Sequence, residues 1–354
     1  MSLPTLPKPS QAKHAPVQHQ LLPTSNNISF FHCRRRDRST MSRILVIGAT
    51  GNIGQHLVTA SLNAGHRTAV LVRPATVASD SDKAKLLNSL EARGVTVVYG
   101  DMNDHGSLVG AIKQHGEVVI SAVGHGRPEE LDGQIKIIEA IKEAGHVKRF
   151  VPSEFGCDVE HHAEHTLEPA KSMIVESKLR VRRALRDAGI PHTIICSYWA
   201  IGLLFSTLGN SGENGPLSTG VDIFGDKKSR AIFVDEKDMS KLTIRAVEDP
   251  RTLDKILHVR PPANMRSFGQ LLHLLEKKTG RTFERHYVTE QELAKKIQEA
   301  PFPLNFQLAM VHSTLVHGGA CERAVDPEVE VEATRLYPDV QFATVEECLD
   351  GLLL

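Results

Sequence analysis

Arg43 to Gly54 runs Arg-Ile-Leu-Val-Ile-Gly-Ala-Thr-Gly-Asn-Ile-Gly, and it restricts the fold more than any other stretch of the chain. Ile44 to Ile47 form a short apolar run closed by glycine, as a strand buried on both faces does. Glycines follow at 48, 51 and 54, and Ile53, Leu57 and Val58 then recur with helical spacing. Strand, glycine turn and helix in this order give a loose glycine pattern its meaning as a dinucleotide site. Gly48 permits the tight turn, Gly51 lets backbone approach a pyrophosphate, and Gly54 lets the helix lie close on the strand. Thr50, Asn52 and Ile53 share that loop, where the helix N-terminus offers N–H groups and partial positive charge to phosphate. The alternative is a structural turn in another α/β fold.

Further along, apolar runs at Thr68–Val72, Val95–Tyr99, Glu117–Ala122, Val147–Val151 and His192–Cys196 predict strands. Helical stretches separate them, including Leu131–Ala144 and Glu168–Asp187. The latter has a start signal at Glu168-Pro169 and a stop at Gly189-Ile190-Pro191. This alternation predicts an α/β fold of Rossmann type, a doubly wound parallel sheet, over residues 41–198. Past Trp199 the alternation breaks down. Glycine-rich loops at 209–220 lead to a strand near Ala231–Val234 and helices near 237–248, 267–279 and 290–299. Residues 199–354 are expected to form a smaller substrate-binding lobe, with elements returning to the first domain.

Ligand specificity is partly legible. An NAD site usually carries an acid at the end of the second strand, about 20 residues past the glycines. Here that position is Arg73, and a guanidinium can meet a 2′-phosphate with two hydrogen bonds, which points to NADPH. Lys83 or Lys85 would supply a second charge; the plainer reading of all three is solvated surface cations. Asp101 and Met102, just past the third strand, are placed to hold the adenine.

Lys plus Arg and Asp plus Glu both total 42, so the chain is formally neutral, which argues against nucleic acid or an anionic membrane as the main partner. No apolar run approaches the roughly 20 residues of a membrane span. Five scattered cysteines without metal-type pairing suit reduced thiols in an intracellular, cytoplasmic protein. Residues 1–40 differ: they are basic, with Arg34, Arg35 and Arg36 together and no acid before Asp37. A plastid transit peptide has this character; the alternatives are a disordered leader, or a start at Met41.

The proton donor is harder to find. Short-chain oxidoreductases usually pair a tyrosine with a lysine four residues on, but Ile174 precedes Lys178 at that spacing. Lys178 is left to act alone, or to be one cation among Lys171, Arg180, Arg182 and Arg183. A lysine between apolar walls and an oxidised nicotinamide would lose its proton more readily than in water.

From Met41 to its end the chain resembles the plant isoflavone reductase-like family of atypical short-chain reductases. The matching stretches include Gly48–Gly54, Val70–Pro74, Ile120–Gly124, Val147–Gly156, Glu168–Lys171, Lys178–Arg183, Asp249–Leu253, Leu336–Asp339 and Thr344–Cys348. The resemblance implies NADPH as cofactor, a small phenolic substrate and a homodimer. It makes Lys178 the acid/base and places Ser121, Val123 and Gly124, with Ser153, Glu154 and Phe155, along the nicotinamide. It further implies a shared chemistry: loss of a phenolic proton expels a benzylic oxygen, and hydride reaches the resulting quinone methide. A leucoanthocyanidin reductase and a non-catalytic NADP sensor are the alternatives. Leucoanthocyanidin reductases carry histidine where this chain has Cys157. His161, His162 and His165 follow nearby, and one of them is a candidate substitute; a zinc site from these three is not expected, because no fourth ligand is evident. Cys157, Tyr198 and Trp199 are the candidate substrate-pocket residues, Trp199 being equally readable as core.

Overall fold

In strand β1 (Arg43–Ile47), Ile44 and Val46 face one side, Leu45 and Ile47 the other, and all four are buried. That two-sided burial is why the run is uninterrupted rather than alternating. The computed structural model describes residues 41–126, 128–202, 220–224, 229–318 and 321–353; the leader 1–40 and the glycine-rich stretch up to residue 219 lie outside them. Strands β2 (Arg67–Val72), β3 (Thr96–Tyr99), β4 (Val118–Ser121) and β5 (Arg149–Val151) join β1 in the order β3-β2-β1-β4-β5, all parallel.

Helices cover both faces. Against Ile44, Val46, Val70 and Ile120 lie α1 (Asn52–Asn63), through Leu57 and Val58, and α3 (Ser81–Ala92), through Leu87 and Leu90; the short α2 (Pro74–Ser79) precedes α3. Against Leu45, Ile47, Val119 and Phe150 lie α4 (His105–His115), α6 (Gln134–Ala144) and α7 (Ser177–Ala188), with α5 (Pro128–Asp132) just before α6. The expected helix over Leu131–Ala144 is thus two, divided at Gly133, where the Met102 methyl fills the space a Cβ would need. The helix expected from Glu168 begins at Lys171. Its first turns, Lys171–Glu176, are π-helical and pass into α7, which stops at Gly189 as anticipated.

The sheet continues beyond β5. A bridge between Phe150 and His192 leads to β6 (Thr193–Cys196). After β7 (Trp199–Ala200), β8 (Gly220–Phe224), β9 (Arg230–Val234) and α8 (Glu236–Ala246), the chain returns as β10 (Lys255–His258), parallel to β6. The remaining strands and α-helices are β11 (Met265–Ser267), α9 (Phe268–Thr279), β12 (Glu284–Val288), α10 (Glu290–Glu299), α11 (Leu304–Val311), β13 (Glu330–Glu332), parallel to β10, and then α12 (Ala333–Leu336) and α13 (Val345–Leu353). A separate core, with Ile201, Ile223, Phe233, Phe268 and Leu271, packs β7, β8, β9 and α9 together. Among the described residues no helix is long and apolar enough to cross a membrane.

Candidate active site

The crevice lies at the C-terminal ends of the parallel strands, where open α/β sheets bind ligands. Gly48 has φ +86°, a Cβ there would overlap the Ala122 carbonyl oxygen and sit 2.6 Å from its carbon. A Cβ on Gly54 would overlap the Gly48 carbonyl oxygen and meet the Ala49 Cα at 2.9 Å. Gly51 is different: a Cβ there would come no nearer than 3.3 Å to protein, so the chain itself tolerates more at this position. Gly51 also begins α1 with no side-chain cap and no acid in the first turn, which leaves the first N–H groups to the crevice. Asn52 turns its side chain away, its Nδ2 donating to the buried Glu236 carboxylate at 3.5 Å.

Across from the glycines, the ends of β4 and β5 are fastened together. Ser153 Oγ donates to the Val123 carbonyl at 2.9 Å, and Gln134 Oε1 accepts from the Ser153 N–H at 2.7 Å. Ser121 is fully buried, its Oγ without a hydrogen-bond partner among the described residues. A Cβ on Gly124 would meet Glu130 Oε2 at 2.7 Å. Phe155 (φ 34°) and Tyr198 (φ 59°) are held in a backbone region that non-glycine residues seldom adopt. Both follow strand ends at the crevice, and Tyr198 N–H donates to the Gly156 carbonyl at 3.1 Å.

Lys178 is 7% exposed and reaches this corner from the first turn of α7, immediately after the π-helical turns. Its Nζ donates to the Glu154 carbonyl at 2.5 Å. The Glu154 carboxylate, 3.9 Å away, is held by Arg182 through two hydrogen bonds of 2.9 and 3.1 Å. Arg182 also donates to Asp158 Oδ1 at 2.7 Å and is itself only 1% exposed. Burial would push the Asp158 carboxyl up, but the Arg182 guanidinium outweighs it and holds the group below its ordinary value. A buried charge of this kind is tolerable only while paired. Lys178 is thereby anchored through a carbonyl, with the neighbouring carboxylate committed elsewhere.

Behind Arg182, His258 is buried beside Asp158 and Glu330 and shares a 3.1 Å hydrogen bond with Tyr198 Oη. Burial lowers its pKa to about 4, against the pull of the two carboxylates. The unfolded chain binds that proton near pH 6.5, so this contribution is intact above pH 6.5 and is lost as pH falls towards 4. Denaturant unfolding should lose roughly 2–3 kcal/mol from this group between pH 7 and 4.5. His258→Gln should flatten that slope; an equal slope in the variant would contradict the assignment.

The remaining candidates spread along the same edge. Arg73 is exposed at the start of α2 and has no ion pair among the described residues. Lys83 pairs with Asp80 at 3.1 Å, and Lys85 with Asp82 at 3.0 Å. The Asp101 carboxylate accepts from the Asn103 N–H at 2.8 Å, and Met102 packs on Gly133. Cys157 lies close to Lys178, but burial pushes its thiol up to about 12, so at neutral pH it is no substitute for a titrating imidazole. Trp199 packs on the separate core around Phe233 and Phe268, with its indole N–H buried and unpartnered among the described residues. Of the three loop histidines, His161 faces Asp158 and Glu330 at 3.9 and 3.6 Å, while the His165 ring stacks on His317.

Several residues were missed from sequence. His125 lies in the loop past β4; although solvent reaches the residue, protein atoms crowd its ring, and burial followed by the Lys178 charge lowers its pKa. Its ring centroid is 6.0 Å from that of Phe306. Phe306 and Met310 of α11 pack with Leu131, Met173 and Ile174, an apolar wall beside α7. The position of His125 directly after Val123-Gly124 was the available signal; for α11 there was none.

Comparison with known proteins bears on the fold and the family. The model of the NmrA-like family matches residues 40–349. A phenylcoumaran benzylic ether reductase of Pyrus communis is 50% identical over 312 residues, covering 88% of this chain and 99% of that protein. A crystal structure of isoflavone reductase superposes with a TM-score of 0.81 at 40% identity, covering 88% of this chain and all of that one. A binary complex of leucoanthocyanidin reductase with NADPH from Vitis vinifera gives 0.77 at 36% identity, covering 88% of this chain and 99% of that one. The chain belongs to the NmrA-like family, among the isoflavone reductase-like reductases of plants.

Proposed function

We propose that the chain is an NADPH-dependent reductase of phenolic, phenylpropanoid-type substrates, with Lys178 as its acid/base. The observation that carries this reading is the buried Lys178 Nζ, tethered to the Glu154 carbonyl at 2.5 Å beside the cofactor crevice. The crevice suits a dinucleotide: the start of α1 has no side-chain cap, and Gly51 presents no side chain where a phosphate would approach. Arg73, free of ion pairs among the described residues, suits the 2′-phosphate, and Lys83 is its weaker companion because Asp80 already engages it. Ser121, Val123, Gly124 and Ser153 to Phe155 would line the nicotinamide.

Bound NADPH would supply a hydride. The chain's residues would do the rest. Lys178 takes the phenolic proton, and the phenoxide electrons move into the ring and break the benzylic C–O bond, with the oxygen leaving as an alkoxide or phenoxide. After hydride adds to the benzylic carbon, one of the two oxygen anions, the leaving oxygen or the regenerated ring phenoxide, takes the proton back from Lys178, and the other takes a proton from solvent. The wall of Phe306, Met310, Met173 and Ile174 keeps water from the quinone methide. The neutral Cys157 favours this reading over a leucoanthocyanidin reductase that needs a second titrating group at that position.

The test is incubation with NADPH or NADH and a panel of neolignans, lignans, isoflavones and flavan-diols, with products identified by mass spectrometry. Benzylic C–O substrates bearing a free para-phenol should be reduced, with NADPH preferred. Tight NADPH binding without turnover of any phenol would favour the sensor alternative.

A further inference from the structure

We propose that Glu290, His312 and His317 form a binding site for a divalent transition-metal ion of the zinc class. Glu290 stands in the first turn of α10; His312 opens a π-helical turn directly after α11, and His317 follows that turn. His312 Nε2 lies 3.3 Å and His317 Nε2 3.1 Å from the same oxygen, Glu290 Oε1. All three donor atoms lie within 4.8 Å of one another. Ligand bonds of about 2.0–2.1 Å in a tetrahedron set donor atoms roughly 3.3 Å apart, so small side-chain adjustments would close this set on an ion. Two histidines and a glutamate are also a known donor set for zinc, with a fourth position left for solvent.

Three further observations favour an ion over a simple hydrogen-bonded cluster. The histidine rings are tilted by 58° with centroids 4.8 Å apart, so their nitrogens converge rather than stack. The His165 ring stacks on that of His317 at 4.6 Å and 4°, which restrains the His317 ring. No lysine or arginine pairs with Glu290 among the described residues; its charge faces only imidazoles. The buried group Asp158, His258 and Glu330 is the contrasting case. There Arg182 and Arg323 already engage the carboxylates, and a second cation would be redundant. The Glu290 site is also reachable, because the Glu290 and His317 side chains are 54% and 26% exposed. A bound ion would tie α10 to the turn after α11, the helix whose Phe306 and Met310 form the pocket wall.

The test is calorimetric titration of the metal-free full chain with Zn²⁺, together with the absorption spectrum of its Co²⁺ complex. One ion should bind per chain, and Zn²⁺ should raise Tm. Glu290→Gln and His317→Ala, both at accessible positions, should each weaken binding at least tenfold and abolish the rise in Tm. His286→Ala, an exposed histidine on β12 outside the cluster, should change neither. Absence of binding at millimolar Zn²⁺ would overturn the proposal. So would binding that survives undiminished in Glu290→Gln and His317→Ala, which would place the ion on cysteines or other histidines.

Discussion

Lys178→Ala is expected to lower kcat by about 10²–10⁴-fold, the usual share of general acid–base catalysis, while the Kd for NADPH stays within about threefold. The folded chain loses one hydrogen bond, from Nζ to the Glu154 carbonyl, worth roughly 1 kcal/mol, and the Arg182–Glu154 pair remains. Stability and cofactor binding should therefore survive a change that removes turnover. Lys178→Arg should be nearly as inactive, because a guanidinium stays protonated and cannot take up the phenolic proton. Steady-state kinetics with cofactor binding by fluorescence separates the two effects. Turnover within tenfold of the parent chain would refute the role given to Lys178.

The glycine loop carries the second large effect. Gly54→Ala forces a methyl onto the Gly48 carbonyl oxygen, and both contacts are backbone, so neither can swing aside. The helix must shift off β1, at a cost of about 3 kcal/mol or more, and Tm should fall with the loss of NADPH affinity. Gly51→Ala makes a different prediction. Its methyl comes 3.3 Å from the Gly48 carbonyl oxygen, a tight contact relieved by a shift of a few tenths of an ångström, so Tm should fall far less than in Gly54→Ala while NADPH affinity falls at least tenfold. Thermal unfolding with and without NADPH distinguishes the two. If Gly51→Ala binds NADPH as well as the parent, no pyrophosphate approaches that backbone.

The contrast between these glycines also marks what the sequence can carry. Periodicity found the strands of the five-stranded sheet to within a few residues, because Ile44–Ile47 and Val118–Ser121 are buried on both faces and nothing interrupts the apolar run. It overran the helices where packing intervened. Gly133 divides one helix because Met102 occupies its Cβ space, and the π-helical turns before Lys178 have no sequence period of their own. Lys178 was visible as a cation on a basic helix, but its burial was not, because Arg180 and Arg182 have the same spacing and chemistry. What sets them apart is tertiary: Arg182 points inward onto Glu154 and Asp158, and Arg180 outward onto Asp132. Phe306 and Met310 were illegible for the same reason, since a wall supplied by a helix some 180 residues past β4 leaves no local pattern.

The most direct test of the central claim uses NADPH deuterated at C4 and a pair of benzylic ether substrates, one with a free phenol and one with that phenol methylated. The account predicts that the free phenol gains one deuterium, at the benzylic carbon, and that the methylated analogue binds but is not reduced, because Lys178 has no proton to take. Reduction of the methylated analogue at a comparable rate, or deuterium at any other carbon, would contradict it.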